Sequence, residues 1–133
     1  MSKQLMPKLP ASPGEKNPST SEKSQAVAEK VQAMLLVMWK NSRATVAERV
    51  LTLRNAQGRL AEGALDRIAR KDAESAAHKL AGILGTFGLP EGSALASKIE
   101  QLLAQESGID RAQQQQLAAW LDDLEKQIAA KDR

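Results

Sequence analysis

The sequence predicts an all-α fold, an antiparallel four-helix bundle with an additional N-terminal helix or helical extension. Three observations carry this expectation. Ala, Leu, Gln, Glu, Lys and Arg dominate the composition, and these are the stronger helix formers, whereas aromatics make up only 2% and Tyr is absent. Apolar residues recur at steps of three and four, with no stretch alternating at a period of two. Gly, Pro and Asp then cut the pattern into helix-length segments. With 133 residues, 42% of them hydrophobic, the chain has one domain's length and enough apolar content for a core.

Taken in order, residues 1–23 hold four of the five prolines, together with Ser, Thr, Asn and Gly. Such a segment buries too little apolar surface to offset its ordering entropy, so a flexible tail or linker is expected there and a helical bundle over 24–133. A first helix should begin near Glu22–Ser24, with Val27, Val31, Met34, Leu35 and Met38 on one face and Trp39 at its end. A second pattern runs Val46, Val50, Leu53, Leu60 and Ala64, loosely broken by Gln57-Gly58, with a turn near Glu62-Gly63. A third runs from about Asp66 to Phe87 and stops at Gly88, which suits the left-handed residue just past a helix. Pro90 and Glu91 open a fourth helix, with Leu95, Ile99, Leu102 and Leu103 on its face and Gly108 closing it. Asp110 is the N-cap candidate of a last helix with Leu117, Leu121, Leu124 and Ile128 in its stripe, and Gln113 to Gln116 read as a solvated face.

Several function classes fall away on composition. Without Cys, and with a single His, neither a thiolate metal site nor a cysteine nucleophile is available, so no metal is expected. No apolar run approaches the roughly 18 residues of a membrane span, and no signal-peptide core follows Lys3. A soluble, cytoplasmic monomer without membrane attachment is expected. The pI of 9.3 raises nucleic-acid binding, but residues 1–23 hold four Lys against two Glu. Residues 40–79 carry nine basic and five acidic side chains, and 80–133 carry five and eight. That asymmetry suits an acidic protein partner, and no basic–aromatic interleaving supports nucleic acid.

The one histidine stands apart. With His78 at 0° and about 100° per residue, Gly82 falls near 40°, Gly85 near −20°, Ser75 near 60° and Lys71 near 20°. Leu80, Ile83, Leu84, Phe87 and Ala76 gather on the opposite side, so His78 projects away from the core. A glycine inside a helix costs about 1 kcal/mol relative to Ala, so two of them beside the histidine need a reason. Either they clear an approach to the imidazole or they let a neighbouring helix come close. No strand-to-helix nucleophile elbow exists to support a Ser–His–Asp hydrolase.

The run Ala77-His78-Lys79-Leu80-Ala81-Gly82, continuing through Gly85-Thr86-Phe87-Gly88 to Ile99-Glu100, resembles the signature of histidine-containing phosphotransfer (HPt) domains of bacterial two-component phosphorelays. That signature has a histidine, an apolar residue at +2, glycines at +4 and +10, and an apolar–Glu pair near +21 and +22. The resemblance covers roughly residues 35–130. It implies a phosphorelay intermediate in which His78 accepts a phosphoryl group through Nε2 and exchanges it with a receiver-domain aspartate. Lys71, Ser75, Lys79, Gly82 and Gly85 would surround the phosphoryl site. Many family members carry a lysine at +3, where this chain has Ala81. Lys79 and Lys71 are then candidate counter-charges, with ordinary solvated surface as the alternative for both.

The same resemblance implies no cofactor in this chain and no catalytic or nucleotide-binding domain of its own, the Mg²⁺ being held by the receiver. An exposed imidazole is mostly neutral near pH 7 and so able to attack. The implied partners are a response-regulator receiver domain, a hybrid histidine kinase, or both, docking on apolar side chains for which Leu35, Met38, Trp39 and Leu89 are candidates. The alternative is a non-phosphorylated helical adaptor that docks receivers or kinases; a helical scaffold for nucleic acid or membrane is the third reading.

Overall fold

The computed structural model describes the backbone from residue 5 and side chains from residue 21. Four helices follow one another: α1 (Leu5–Ala61), α2 (Arg67–Thr86), α3 (Pro90–Leu103) and α4 (Arg111–Lys131). No strand occurs among the described residues. The tail expected over 1–23 falls partly within the bounds of α1, and its first four residues, like the side chains of 1–20, lie outside the described residues. The chain divides into two units, Met1–Lys40 and Asn41–Arg133.

In the first unit α1 carries Val27, Val31, Met34, Leu35, Leu36, Val37 and Met38 as exposed side chains, while Trp39 is buried. The face expected over 27–38 is therefore an exposed one, and of the residues named with it only Trp39 is buried. Helical periodicity identifies an apolar face, but it does not say that anything covers it. The first two expected helices are also one, because α1 runs unbroken past Trp39 and Val46 to Ala61, and Gly58, where a loose break was expected, sits inside it as well. Burial of Leu53 and Ala56 just before it and partial burial of Leu60 just after hold the helix together across the glycine, and such packing outweighs local propensity.

The second unit is the bundle. Val46, Leu53 and Ala56 of α1 are buried with Leu80 and Leu84 of α2, Ile99 and Leu103 of α3, and Leu117, Leu121 and Leu124 of α4. Full burial of each such Leu or Ile stabilises the fold by about 1.5–3 kcal/mol. Cross-helix bonds show antiparallel neighbours throughout. Arg43 pairs with Asp132 at 2.8 Å and Arg54 with Glu125 at 2.6 Å and with Asp122, so α1 ascends as α4 descends. Burial acts to lower the Arg54 pKa, but hydrogen bonds and charge from Asp122 and Glu125 prevail and raise it, which keeps the guanidinium charged. Arg70 donates to the Gln105 carbonyl at 2.8 Å while Ser93 donates to the Ala81 carbonyl at 2.8 Å, which runs α3 back along α2.

The helix ends follow local rules. α1 and α2 stop alike: Gly63 and Gly88 take positive φ (71° and 77°) at C′, a conformation that favours glycine. In α2 the Gly88 N–H donates to the Gly85 carbonyl and the Leu89 N–H to the Leu84 carbonyl at 2.9 Å, the paired bonds of a Schellman cap. Asp66 caps α2 by accepting from the Ala69 N–H at 2.7 Å, and Pro90 opens α3 with Glu91 in its first turn. Asp110 and Gln113 form a reciprocal capping box on α4, so Gln113 is a structural cap and not merely solvated face. α3 ends at Leu103, five residues before Gly108, which instead lies in the α3–α4 connection.

One glycine is demanded by packing. A Cβ on buried Gly92 would stand 3.2 Å from Leu84 Cδ1 and 3.7 Å from Leu124 Cδ1, so α3 approaches α2 and α4 closely there. Gly92→Val should destabilise the bundle by about 1–3 kcal/mol through overpacking, read as a lowered urea midpoint at unchanged m-value.

Candidate functional site

α2 presents His78 on the face opposite its buried side, where Ala73, Ala76, Ala77, Leu80 and Leu84 are all sealed from solvent. Three alanines in that stripe let the neighbouring helices pack close to the α2 backbone. The imidazole side chain is 74% exposed. It is nonetheless held: Nδ1 lies 3.0 and 3.2 Å from the two carboxylate oxygens of Glu100 on α3. An ionised carboxylate only accepts, so Nδ1 is the protonated nitrogen, and in the neutral ring Nε2 carries the free lone pair. Nε2 makes no hydrogen bond among the described residues.

Glu100 is the one side chain that holds the imidazole among the described residues, and it was not among the expected site residues. It entered only as part of a spacing, without a role. Its position was nevertheless readable, since His78 lies eleven residues before Leu89 and Glu100 eleven after it. In an antiparallel hairpin turning at Leu89, equal distances from the turn bring two residues to one level.

The two glycines beside His78 separate in meaning. A Cβ on Gly82 would meet nothing within 4 Å, so no helix requires its absence and the position leaves open space next to the imidazole. A Cβ on Gly85 would make ordinary contact with Ser93 Oγ at 3.4 Å. Packing in the close sense belongs to Gly92, not to either of them. Gly82→Ala should therefore raise stability by up to about 1 kcal/mol, measured as a higher denaturation midpoint, because it removes backbone entropy at no steric cost.

Of the remaining candidates, Ser75 and Lys79 are exposed on α2 and bond to neither His78 nor Glu100. Lys71 lines a surface cavity with Arg67, Arg70, Glu74, Ala104 and Glu106. It sits seven residues before His78, about 10 Å along the helix axis. Ala81 occupies the α3 side, where its carbonyl accepts from Ser93. Leu89 is half-buried in the α2–α3 turn, Leu35 and Met38 are exposed, and Trp39 is buried and so offers no docking surface.

Among the described residues no group of three His, Asp or Glu side chains could hold a metal ion, and no helix is long and apolar enough to cross a membrane. The arrangement can do one kind of chemistry well: present an oriented, exposed imidazole nitrogen to an electrophile brought by another molecule. Against families of known proteins, the model described as the Hpt domain matches residues 37–130. No curated protein and no solved structure matches the chain.

Proposed function

The chain belongs to the Hpt domain family, and from that premise we propose that His78 accepts a phosphoryl group from a receiver-domain aspartate and passes it to one. Hpt domains are phosphotransfer modules of two-component signalling. The observation that carries the assignment to this residue is the hydrogen bond from Nδ1 to Glu100, which leaves Nε2 exposed with its lone pair available.

The transfer needs little from this chain beyond position. The Nε2 lone pair forms the N–P bond as the P–O bond to the aspartyl carboxylate breaks, and the aspartate leaves as a carboxylate, so no proton has to move. The ring then gains positive charge, shared with Nδ1–H, and the Glu100 carboxylate stabilises it through a charge-assisted hydrogen bond. Mg²⁺, expected on the receiver and not on this chain, would offset the charge of the phosphoryl oxygens. Fixing the imidazole in one orientation supplies the in-line geometry that makes proximity effective. Open space at Gly82 admits the partner's backbone. A hybrid kinase would reach this chain through its receiver module, in the cytoplasm.

The test is incubation with phosphorylated receiver domains. Acid-labile, alkali-stable label on this chain supports the reading, and its absence with every receiver of the same organism sinks it. Ala81, where a lysine is common, favours one second reading: an adaptor that docks receivers without accepting phosphate. Binding without label would establish that instead.

Glu100 has its own test. Glu100→Ala should slow transfer about tenfold, equivalent to about 1.4 kcal/mol of barrier, with Gln recovering part of the loss by still accepting from Nδ1–H. Equal rates for wild type and Glu100→Ala in single-turnover transfer would remove the carboxylate from the mechanism.

A further inference from the structure

Three cations gather at the amino end of α2. Arg67, Arg70 and Lys71 line one cavity, together with Glu74, Ala104 and Glu106. Arg70 is engaged, donating to the Gln105 carbonyl at 2.8 Å and tying down the end of α3. Among the described residues the side chains of Arg67 and Lys71 make neither hydrogen bond nor ion pair, and Glu74 and Glu106, in the same cavity, pair with neither of them. Asp66 is committed to capping the Ala69 N–H, and Asp72 lies about a quarter-turn round the helix from Lys71. The positive end of the α2 dipole adds to the excess.

This cluster stands on the helix that carries His78 and close to its face. From Lys71 to His78 is about 10 Å along α2, with Glu74 between them, and the angular offset is only about 20°. A partner whose reacting group sits on Nε2 therefore covers the cavity as well. The cavity is too far along the helix to neutralise the phosphoryl group itself, so its cations need a separate anionic partner.

Resting on the phosphoacceptor reading above, we propose that Arg67 and Lys71 form an electrostatic docking point for an acidic surface patch of the receiver, located about 10–17 Å from its phosphorylated aspartate. The contact sets the rotation of the receiver over His78 and the rate of productive encounter, and it takes no part in the bond exchange. Arg67 and Lys71 are thus positioning residues, and the partner's carboxylates complete a charge arrangement that this chain leaves open.

The experiment compares wild type with Arg67→Glu/Lys71→Glu in transfer from a receiver that labels the wild type. Receiver concentration and salt are varied, and helicity is checked by circular dichroism. The double variant should raise KM at least tenfold with kcat within twofold, and flatten the fall of kcat/KM with salt. A control with the same change in net charge elsewhere, Lys98→Glu/Lys126→Glu, should move KM less than threefold. Unchanged KM in the first variant, or equal effects in both, overturns the proposal while leaving His78 as acceptor. Lost binding of a single-stranded oligonucleotide with KM unchanged assigns the cluster to nucleic acid and overturns it too. If no receiver labels the wild type, the phosphoacceptor reading falls and takes this inference with it.

Discussion

His78→Gln protein should take no label from any phosphorylated receiver, a loss of at least about a thousandfold, while melting within about 1 °C of wild type. The first half follows from chemistry. Glutamine offers an amide whose nitrogen lone pair is delocalised, and no other side chain near position 78 is a competent phosphoryl acceptor at neutral pH. The second half follows from placement. The imidazole is 74% exposed and its one bond, to Glu100, is a surface contact, a kind that contributes little to stability. Transfer assays and thermal denaturation on the same preparation read both halves. Residual label in the variant would move the acceptor elsewhere on the chain, and a large fall in melting temperature would recast His78 as structural.

Leu80→Ala should do the opposite. Leu80 is two residues on, wholly buried in the bundle, and the substitution leaves a cavity in addition to the lost transfer energy. A loss of about 3 kcal/mol is expected, within the range for buried Leu→Ala changes. For a bundle of this size that lowers the melting temperature by roughly 15 °C. At low temperature, where the variant is still folded, transfer per folded molecule should stay near wild type, because α2 keeps His78 on the same face. Denaturant titration gives the stability, and single-turnover labelling gives the chemistry. A stable Leu80→Ala protein would mean that the α2 packing described above is wrong.

Much of the bundle was legible in advance, for identifiable reasons. The stops at Gly63 and Gly88, the opening at Pro90 and the cap at Asp110 depend on residues adjacent in the chain, and local chemistry decides them. The stripes of α2 and α4 were read correctly because their period is set by the helix itself. The expected end at Trp39 and the loose break at Gln57-Gly58 are both absent from α1, because a glycine's propensity cost is local while the packing that overrides it comes from other helices. Gly108 misled as well: it marked a connection, but α3 had already ended at Leu103.

The candidate site divides in the same way. That His78 faces outward is a matter of helical angle, and sequence sufficed for it. The difference between Gly82 and Gly85 did not follow from angle, since both share the histidine's side and only the position of Ser93 separates them. Lys71 is a candidate counter-charge only because the resemblance expects a lysine where Ala81 stands, with solvated surface as the alternative, and the structure places it at a cavity with Arg67 and Arg70.

By itself, then, the sequence determined an all-α bundle, the ends of most of its helices, and an exposed histidine on the second bundle helix. Each of these rests on contacts no more than a few residues apart. Tertiary structure alone decided that Val27 to Met38 stay exposed, that Gly92 is the glycine packing demands, and that Glu100 holds Nδ1 of His78. These depend on what a second helix brings to the same level, and a periodicity describes one helix at a time.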